Sequence, residues 1–421
     1  MAALLQPEID VCLTPATDLV SVERAVAIGL SEARPIAETE LVDLSAVAGR
    51  ILAQPIKADE PLPRFDYSAM DGYAVDTDSL GIEFPARLKV AGSIAARRTV
   101  DEPVLQAGCA FRILTGAPIP AGANAIIAHE EVHAEGDWIA LSRAPRSGEN
   151  IRRRGEDVRS GESLIETGTE MGALQAGVAA ACGYPGVRVF RRLRVAIFTT
   201  GSELRQPGES IQPGEIYDAN RFILLGLLAK PWIEMADLGC VADSPSKLRS
   251  TFQSAAARAD VIISAGGISV GDEDHVVDSF ERCGGRLWVR KVAIKPGKPV
   301  VLGRMANSTY VGLPGNPGAL FTAFEVIVDK VLRACAGIKR AGDGERTAIA
   351  NFTWSGRPGR TTYLPAILSG IENGLPFIEL LPDSNSGKLH QLSLAAGFVV
   401  VSPEVKSIER GAKICWLPFA R

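Results

Sequence analysis

Residues 264–275 read S-A-G-G-I-S-V-G-D-E-D-H. The first half has the makings of a phosphate-binding loop, because glycines let the backbone approach a ligand closely. Gly266, Gly267, Ser269 and Gly271 are the residues expected to make that approach. The second half sets three acids in a row, Asp272, Glu273 and Asp274, which repel a phosphate. A hard divalent cation reconciles the halves, since carboxylate oxygens hold Mg2+ and Mg2+ bridges to phosphate. Asp274, next to an expected helix start, is then the metal ligand, while Asp272 and Glu273 read as solvated carboxylates favoured by the helix dipole. Glu203, in the turn T-T-G-S-E-L, and Asp243 are expected on the same edge and join Asp274 as metal candidates.

Three other stretches carry chemistry. In I-K-P-G-K-P (294–299) a Pro-Gly turn holds Lys295 and Lys298 on one side, a site for an oxyanion or phosphate or else two solvated lysines. G-L-P-G-N-P-G (312–318) runs into a long helical pattern, so its turn offers backbone N–H groups to an anion. F-D-Y-S-A-M-D-G-Y-A-V (65–75) places Asp71 before Gly72 in a tight turn, either presented to a ligand or closing an Asx turn. One match is a decoy. H-E-E-V-H (129–133) has zinc-protease spacing, which requires a helix, but it sits between strand-like and turn-like residues. A strand would hold the two imidazoles about 13 Å apart, too far to share one zinc.

The elements that must position these groups alternate from residue 193 onwards. LRVAIFTT, WIEMADLG and DVIISAGG read as buried strands; YDANRFILLGLLA, SPSKLRSTFQSAAARA and HVVDSFERCGG read as helices. Asp218 and Ser244 are expected helix caps, with Pro245 in the first turn. RLWVRKVAI, PVVLGR and STYVGL add strands before the long helix GALFTAFEVIVDKVLRACAG. This alternation predicts a mostly parallel sheet covered by helices, with ligands beyond the carboxyl ends of its strands. Residues 17–52 read as two helices broken near Pro35, and residues 53–149 as a small all-β unit inserted into that helical domain. IRRRGEDV (151–158) and MGALQAGVAAACGY return to a helix-like texture, and the last 80 residues read as a small β-barrel or sandwich.

Composition narrows the class. The 421 residues are 46% hydrophobic and 22% charged with a net charge of −4, which fits a multidomain globular protein and offers no basic field for nucleic acid or an anionic membrane. No run approaches the roughly 18 apolar residues of a membrane span. The first residues lack a basic n-region, so no signal peptide is expected. Seven scattered cysteines without a C-x-x-C pair read as reduced thiols. A cytoplasmic location is the expectation.

In order along the chain, GRILAQPI, FDYSAMDGYAV, FRILTGAPIPAGANAII, IRRRGEDV, TTGSEL, IYDANR, SAGGISVGDED, AIKPGKP and GLPGNP resemble the molybdopterin molybdenumtransferase family (MoeA and the E domain of gephyrin). The matching stretches span residues 49 to 317 and continue weakly to the end. The resemblance implies four domains: 1–52 plus 150–186 helical, 53–149 β-rich, 187–340 an α/β three-layer molybdopterin-binding domain, and 341–421 a C-terminal β-barrel. It implies a homodimer working beside a molybdopterin adenylyltransferase and molybdoenzymes. The implied reaction is Mg2+-dependent hydrolysis of adenylylated molybdopterin, release of AMP and ligation of molybdate to the dithiolene. Carried over residue by residue, the acidic set is Asp71, Glu203, Asp243 and Asp274, with Asp157 following the arginine run and Thr115 in the TGAP turn. Lys295 and Lys298 match the lysine pair implied to bind molybdate or phosphates. Thr200, Gly201, Asp218, Asn220, Pro314, Gly315, Asn316 and Pro317 fall in the motifs implied to hold the pterin substrate.

The chain also departs from the family pattern. Ser202 stands where GDEL has its aspartate, and His275 where a tyrosine is common. Ala319 replaces the serine of GNPVS, and Pro365 replaces the last arginine of GRxxFxR, with Arg360 or Arg357 as possible stand-ins. These losses motivate a rival reading, a divergent paralogue that binds molybdopterin as a carrier. A generic nucleotide-binding enzyme on the same scaffold is a third.

Overall fold

The computed structural model describes residues 19–81, 83–96, 103–268, 275–339, 344–372, 374–382 and 387–419. The chain divides into two compact units, one from Met1–Ala53, Thr167–Gly172 and Arg188–Arg421, the other from Gln54–Glu166 and Ala173–Val187.

The first unit is built on a six-stranded sheet. Its strands are β1 (Leu193–Thr200), β2 (Ile233–Val241), β3 (Val261–Ala265), β4 (Arg286–Val289), β6 (Val301–Met305) and β7 (Ser308–Leu313), while a short strand β5 (Ile294–Lys295) leaves this sheet for another. The order across the sheet is β2-β1-β3-β7-β6-β4. The first four strands are parallel; β6 pairs antiparallel with β7, and β4 antiparallel with β6. The fully buried run Val195–Thr200 is what a parallel strand covered on both faces requires. Alternation then sorts side chains into two layers. Val195, Ile197, Ile263 and Val311 face one core, and Ala196, Phe198, Ile262 and Tyr310 face the other. Helices α2 (Pro245–Ala256) and α3 (His275–Arg282) cover the second face, where Phe252, Phe280 and Tyr310 pack edge-on or stacked. Helix α1 (Ala219–Leu227) and the long helix that begins as α4 (Pro317–Ala323) cover the first, together with Val22–Glu32 near the N-terminus.

The C-terminal strands β8 (Arg346–Ala350), β9 (Thr361–Glu372), β10 (Leu375–Leu380), β11 (Gly397–Val401) and β12 (Lys413–Pro418) pair in the ring β9-β10-β8-β12-β11-β9. The sheet therefore closes on itself as a small barrel. β5 joins it through a parallel ladder, with Ile294 opposite Thr361 and Lys295 opposite Thr362. In the second unit, the strands Gly72–Val75, Ala86–Ile94, Cys109–Ile113, Ala125–Ala128, Val132–Glu135 and Trp138–Leu141 form one six-stranded sheet. Among the described residues no helix is long and apolar enough to cross a membrane, and the cysteines are all free.

Several elements differ from their sequence reading. The second N-terminal helix is instead a strand, Thr39–Asp43, and a single 3-10 turn, Leu44–Ala46. Leu41, counted there as part of an apolar face, is 70% exposed, so the apparent helical spacing buries nothing at that position. IRRRGEDV forms a two-residue strand, Ile151–Arg152, paired with Tyr67–Ser68, then a turn at Gly155, whose φ of +74° suits glycine. Ser244 sits at the N-cap of α2 but makes no side-chain cap bond there; Pro245 fixes the first turn alone. The H-E-E-V-H stretch is a 3-10 turn, His129–Glu131, leading into a strand, so the imidazoles lack the helical frame a shared zinc requires.

The long helix carries a π segment, Phe324–Val328, before resuming over Asp329–Cys335. Glu325 and Asp329 fall one turn apart there, and both Lys230 and Arg333 bind the Asp329 carboxylate. Burial opposes ionisation of Asp329, yet those two cations outweigh it and hold its carboxyl low. Glu325 has the reverse balance: burial first, then the neighbouring Asp329, push its carboxyl up. A raised folded value means that folding works against the ionised form, so Glu325 penalises the fold at neutral pH and relaxes as pH falls through that value. Glu325→Gln is expected to raise the melting temperature at pH 7, with the gain fading as pH falls from the raised value towards the ordinary 4.5 and gone below it. Scanning calorimetry across that range checks it, and a destabilised Gln variant at pH 7 contradicts the assignment.

Candidate functional site

Three parallel strands end at one edge of the sheet, and their turns build a cavity of about 330 Å³ there. Thr200, Gly201 and Glu203 come from the turn after β1, Gly266 and Gly267 from the turn after β3, and Pro314, Gly315 and Pro317 from the turn after β7. Asp243 reaches the same cavity from beyond β2, and Asp218 and Asn220 from the start of α1. Ser269, Gly271 and Asp274 lie outside the described residues.

Local chemistry explains each placement. Gly266 has φ +94°, and a Cβ there would lie 2.2 Å from the Thr200 carbonyl oxygen, so the turn admits only glycine. Its amide donates to the Leu313 carbonyl, whereas the amides of Gly267 and Gly315 meet no acceptor among the described residues. Asp218 is 1% exposed and has no spare oxygen: one accepts the Arg221 N–H as a helix cap, the other the Thr199 hydroxyl at 2.5 Å. It is a fixed support of the wall. Asn220 ties α1 to the G-L-P-G-N-P turn, its Nδ2 donating to the Gly315 carbonyl at 2.7 Å. Its Oδ1 and the Thr200 hydroxyl are buried without a hydrogen-bond partner, at 7% and 3% residue exposure. Such groups cost free energy unless a ligand or water satisfies them. Asn316 caps α4 through Oδ1 to the Gly318 amide and does not line the cavity. Among the described residues, the charged side chains on this cavity are carboxylates, Glu203, Asp218 and Asp243.

Lys295 and Lys298 open instead onto a second cavity, of about 490 Å³, between the start of α4 and the barrel. Arg360, Thr362 and Lys388 enter it from the barrel side, and no carboxylate among the described residues lines it. Lys295, Lys298 and Arg360 form no ion pair among the described residues; Arg360 Nη1 reaches the Ile294 carbonyl at 3.5 Å. Arg360, not Arg357, therefore accompanies Pro365 here, and Ala319 lines the same wall. The two cavities share a boundary. Lys298 lines one and Pro299 the other, and Gly318 and Pro317 divide likewise. Lys388 had no signal in the sequence, since only closure of the barrel brings it opposite the lysine turn.

The second unit holds the remaining candidates. Asp71 is exposed, and its Oδ1 accepts both the amide and the hydroxyl of Thr115 at 2.7 Å each. The Thr115 amide first, and then its hydroxyl, hold the Asp71 carboxyl below the ordinary aspartate range. Asp66 of the same stretch accepts from Arg153 and from the Arg154 amide, joining FDYSAMDGYAV to IRRRGEDV. Asp157 is exposed, with its amide donating to the Leu62 carbonyl.

Known proteins match this architecture along its length. The family models are the MoeA N-terminal region (domains I and II) at residues 20–183, a probable molybdopterin binding domain at 196–334, and the MoeA C-terminal region (domain IV) at 347–419. A molybdopterin molybdenumtransferase of a Nostoc species is 34% identical over 86% of this chain and 85% of its own length. Its counterpart in Haemophilus influenzae is 34% identical over 91% of this chain and 94% of its own. A crystal structure of the molybdopterin biosynthesis MoeA protein of Pyrococcus horikoshii covers 96% of this chain and all of its own, at 27% identity and a TM-score of 0.83. A three-layer α/β sandwich and a closed C-terminal barrel occupy the places where those family models match, and the chain belongs to the MoeA family.

Proposed function

We propose that this chain is a molybdopterin molybdenumtransferase. It hydrolyses the phosphoanhydride of adenylylated molybdopterin, releases AMP and ligates molybdate to the dithiolene. The observation that carries this reading is the pair of adjoining cavities of opposite character, one lined by carboxylates and unfilled backbone amides, the other by cations. A substrate with both a phosphoanhydride and a separate oxyanion to be joined to it needs two such environments side by side.

Mg2+ suits the first cavity, because its hard oxygen chemistry calls for one or two carboxylates plus substrate phosphate. Glu203 and Asp243, which line this cavity, would hold it, with Asp274 added from the family resemblance. When bound, the ion supplies Lewis acidity toward the phosphoanhydride. The amides of Gly267 and Gly315 donate to phosphate oxygens, and Asp218 keeps the wall in place through Thr199 and Arg221. In the second cavity Lys295, Lys298 and Arg360 balance the charge of molybdate. Asp71 and Thr115 act as a pre-formed hydrogen-bonded pair in the other unit, and Asp157 joins the substrate-binding set there. The proposal extends to the four-domain division, to a homodimer, and to a cytoplasmic setting between a molybdopterin adenylyltransferase and the molybdoenzymes.

The rival reading, a molybdopterin carrier with weak insertion, draws support from the second cavity. Ala319 and Pro365 contribute no donor to it, and the nearby Thr322 hydroxyl is committed to the Gly318 carbonyl. Purified protein, adenylylated molybdopterin, Mg2+ and molybdate decide between them. The transferase yields AMP and active cofactor; AMP without cofactor favours the carrier, and no binding of molybdopterin removes both.

Two variants follow. Asp243→Asn is expected to lower Mg2+-dependent AMP release roughly a hundredfold or more with little change in melting temperature. Normal AMP release by that variant takes Asp243 out of the metal set. Lys298→Ala is expected to raise the molybdate concentration needed for cofactor formation by about tenfold or more, since charge-assisted bonds are worth about 1.5–3 kcal/mol. AMP release should stay near wild type, and a matched loss of both steps argues against separate cavities.

A further inference from the structure

The lining of the carboxylate cavity includes the large apolar and aromatic residues Leu204, Ile216, Tyr217 and Ile268. Leu204–Arg205 and Ile216–Tyr217 pair as a short parallel ladder outside the main sheet. Tyr217 is 44% exposed. Its ring is not loose. The hydroxyl donates to the Glu209 carbonyl at 2.8 Å, and the next residue, Asp218, is the buried cap of α1. A rigid, half-open ring beside a cavity presents a flat face to whatever enters.

A second, independent observation lies three residues beyond Tyr217. Asn220 Oδ1 is buried and unpartnered, and its amide group is already committed to Gly315. A carbonyl oxygen can only accept, so the missing partner is an N–H or O–H donor. The Thr200 hydroxyl is also unpartnered on this cavity, and it can donate or accept. A face to stack on and an acceptor set into the wall describe the complement of an amino-bearing fused heterocycle.

We infer that Tyr217 is the stacking platform for the amino-heterocycle of the substrate and that Asn220 Oδ1 accepts one of its N–H groups. This rests on the molybdenumtransferase reading, which offers two such rings, the purine of the nucleotide and the pterin. Neither ring needs the metal for this contact, so the inference concerns affinity and not the cleavage step. Stacking tolerates a change of ring, while the acceptor requires only that a donor lie at the ring edge.

The test uses the full chain with two probes, AMP and a reduced 6-substituted pterin without nucleotide, each titrated by calorimetry with Mg2+. Tyr217→Ala should weaken one probe by about tenfold and leave the other within twofold, which identifies the ring. Tyr217→Phe, which keeps the ring and loses the Glu209 bond, should stay within about threefold of wild type and so rescue the loss. In turnover with adenylylated molybdopterin, Tyr217→Ala should raise KM with kcat nearly unchanged. Equal affinity of wild type and Tyr217→Ala for both probes overturns the inference while leaving the transferase reading intact. Equal loss for Ala and Phe also overturns it, since the ring face would then contribute nothing. Wild-type protein that binds neither probe and releases no AMP removes the underlying reading, and the inference with it.

Discussion

The register of three parallel strands is the constraint on which the rest of the first unit depends. Val195 to Thr199 run opposite Val261 to Ala265, and these run opposite Thr309 to Leu313. Because the strands are parallel and in step, all three chains leave the sheet at one level and on one edge. The T-T-G-S-E-L turn, the glycine pair and the G-L-P-G-N-P turn therefore start from fixed and neighbouring points. What fixes the register is the core. A slip of one residue in β1 would exchange Phe198 with Ile197 between two layers that are each already packed, which close-packed interiors resist. Site geometry is in this sense a product of Phe252, Phe280 and Tyr310 as much as of the loops themselves.

Charge is segregated with equal economy. At an effective dielectric of about 20, a lysine and a carboxylate about 4 Å apart attract by about 4 kcal/mol. Lysines facing Glu203 and Asp243 directly would thus spend both groups on each other. The start of α4 prevents that, since Pro317 faces the carboxylates while Gly318 and Ala319 face the lysines. Keeping like charges together is tolerable because Lys295 and Lys298 remain exposed and hydrated. The β5–β9 ladder then brings a further cation from far along the chain, setting Lys295 opposite Thr362 with Arg360 at the strand's entry. The barrel is part of this site because β5 has left the main sheet to join it.

The α/β core was legible because burial on both faces leaves an unmistakable trace, an unbroken apolar run such as Val195–Phe198. Glycine turns and the Asp218 cap were legible for a related reason, since backbone geometry restricts which residues can occupy them. Other features leave no such trace. Thr39–Asp43 shows helical spacing in its surroundings, yet Leu41 faces outward, and periodicity alone cannot tell which apolar residues are buried. The π segment in the long helix has no residue signature of its own. The orphaned Asn220 oxygen and the engagement of Asp218 by Thr199 depend on contacts between elements that sequence spacing does not encode. The lysine turn was recognisable, but the identity of its far wall was not, because Thr362 and Lys388 reach it only through barrel closure.

The second cavity shows what the departures from the family pattern do physically. Arg360 and Pro365 lie five residues apart on or beside β9, about 16 Å along an extended chain. Arg360 is itself the first arginine of the GRxxFxR motif, so it keeps its own place and leaves the one at 365 unfilled. Together with the lysine turn it keeps positive charge on the cavity, next to the Ile294 carbonyl. The hydroxyl lost at Ala319 is not recovered, because Thr322 donates inward to Gly318 and Thr362 to the Arg360 carbonyl. The net change is the loss of one hydroxyl donor at 319 and one cation at 365, while Lys295, Lys298 and Arg360 remain. Neutral donors discriminate by geometry, whereas ammonium groups on flexible stems attract any anion of suitable charge. On the proposed function, with that hydroxyl and that arginine gone, the lysines hold the oxyanion by charge more than by shape, and its affinity is expected to be more sensitive to ionic strength than in a pocket rich in hydroxyl and backbone donors.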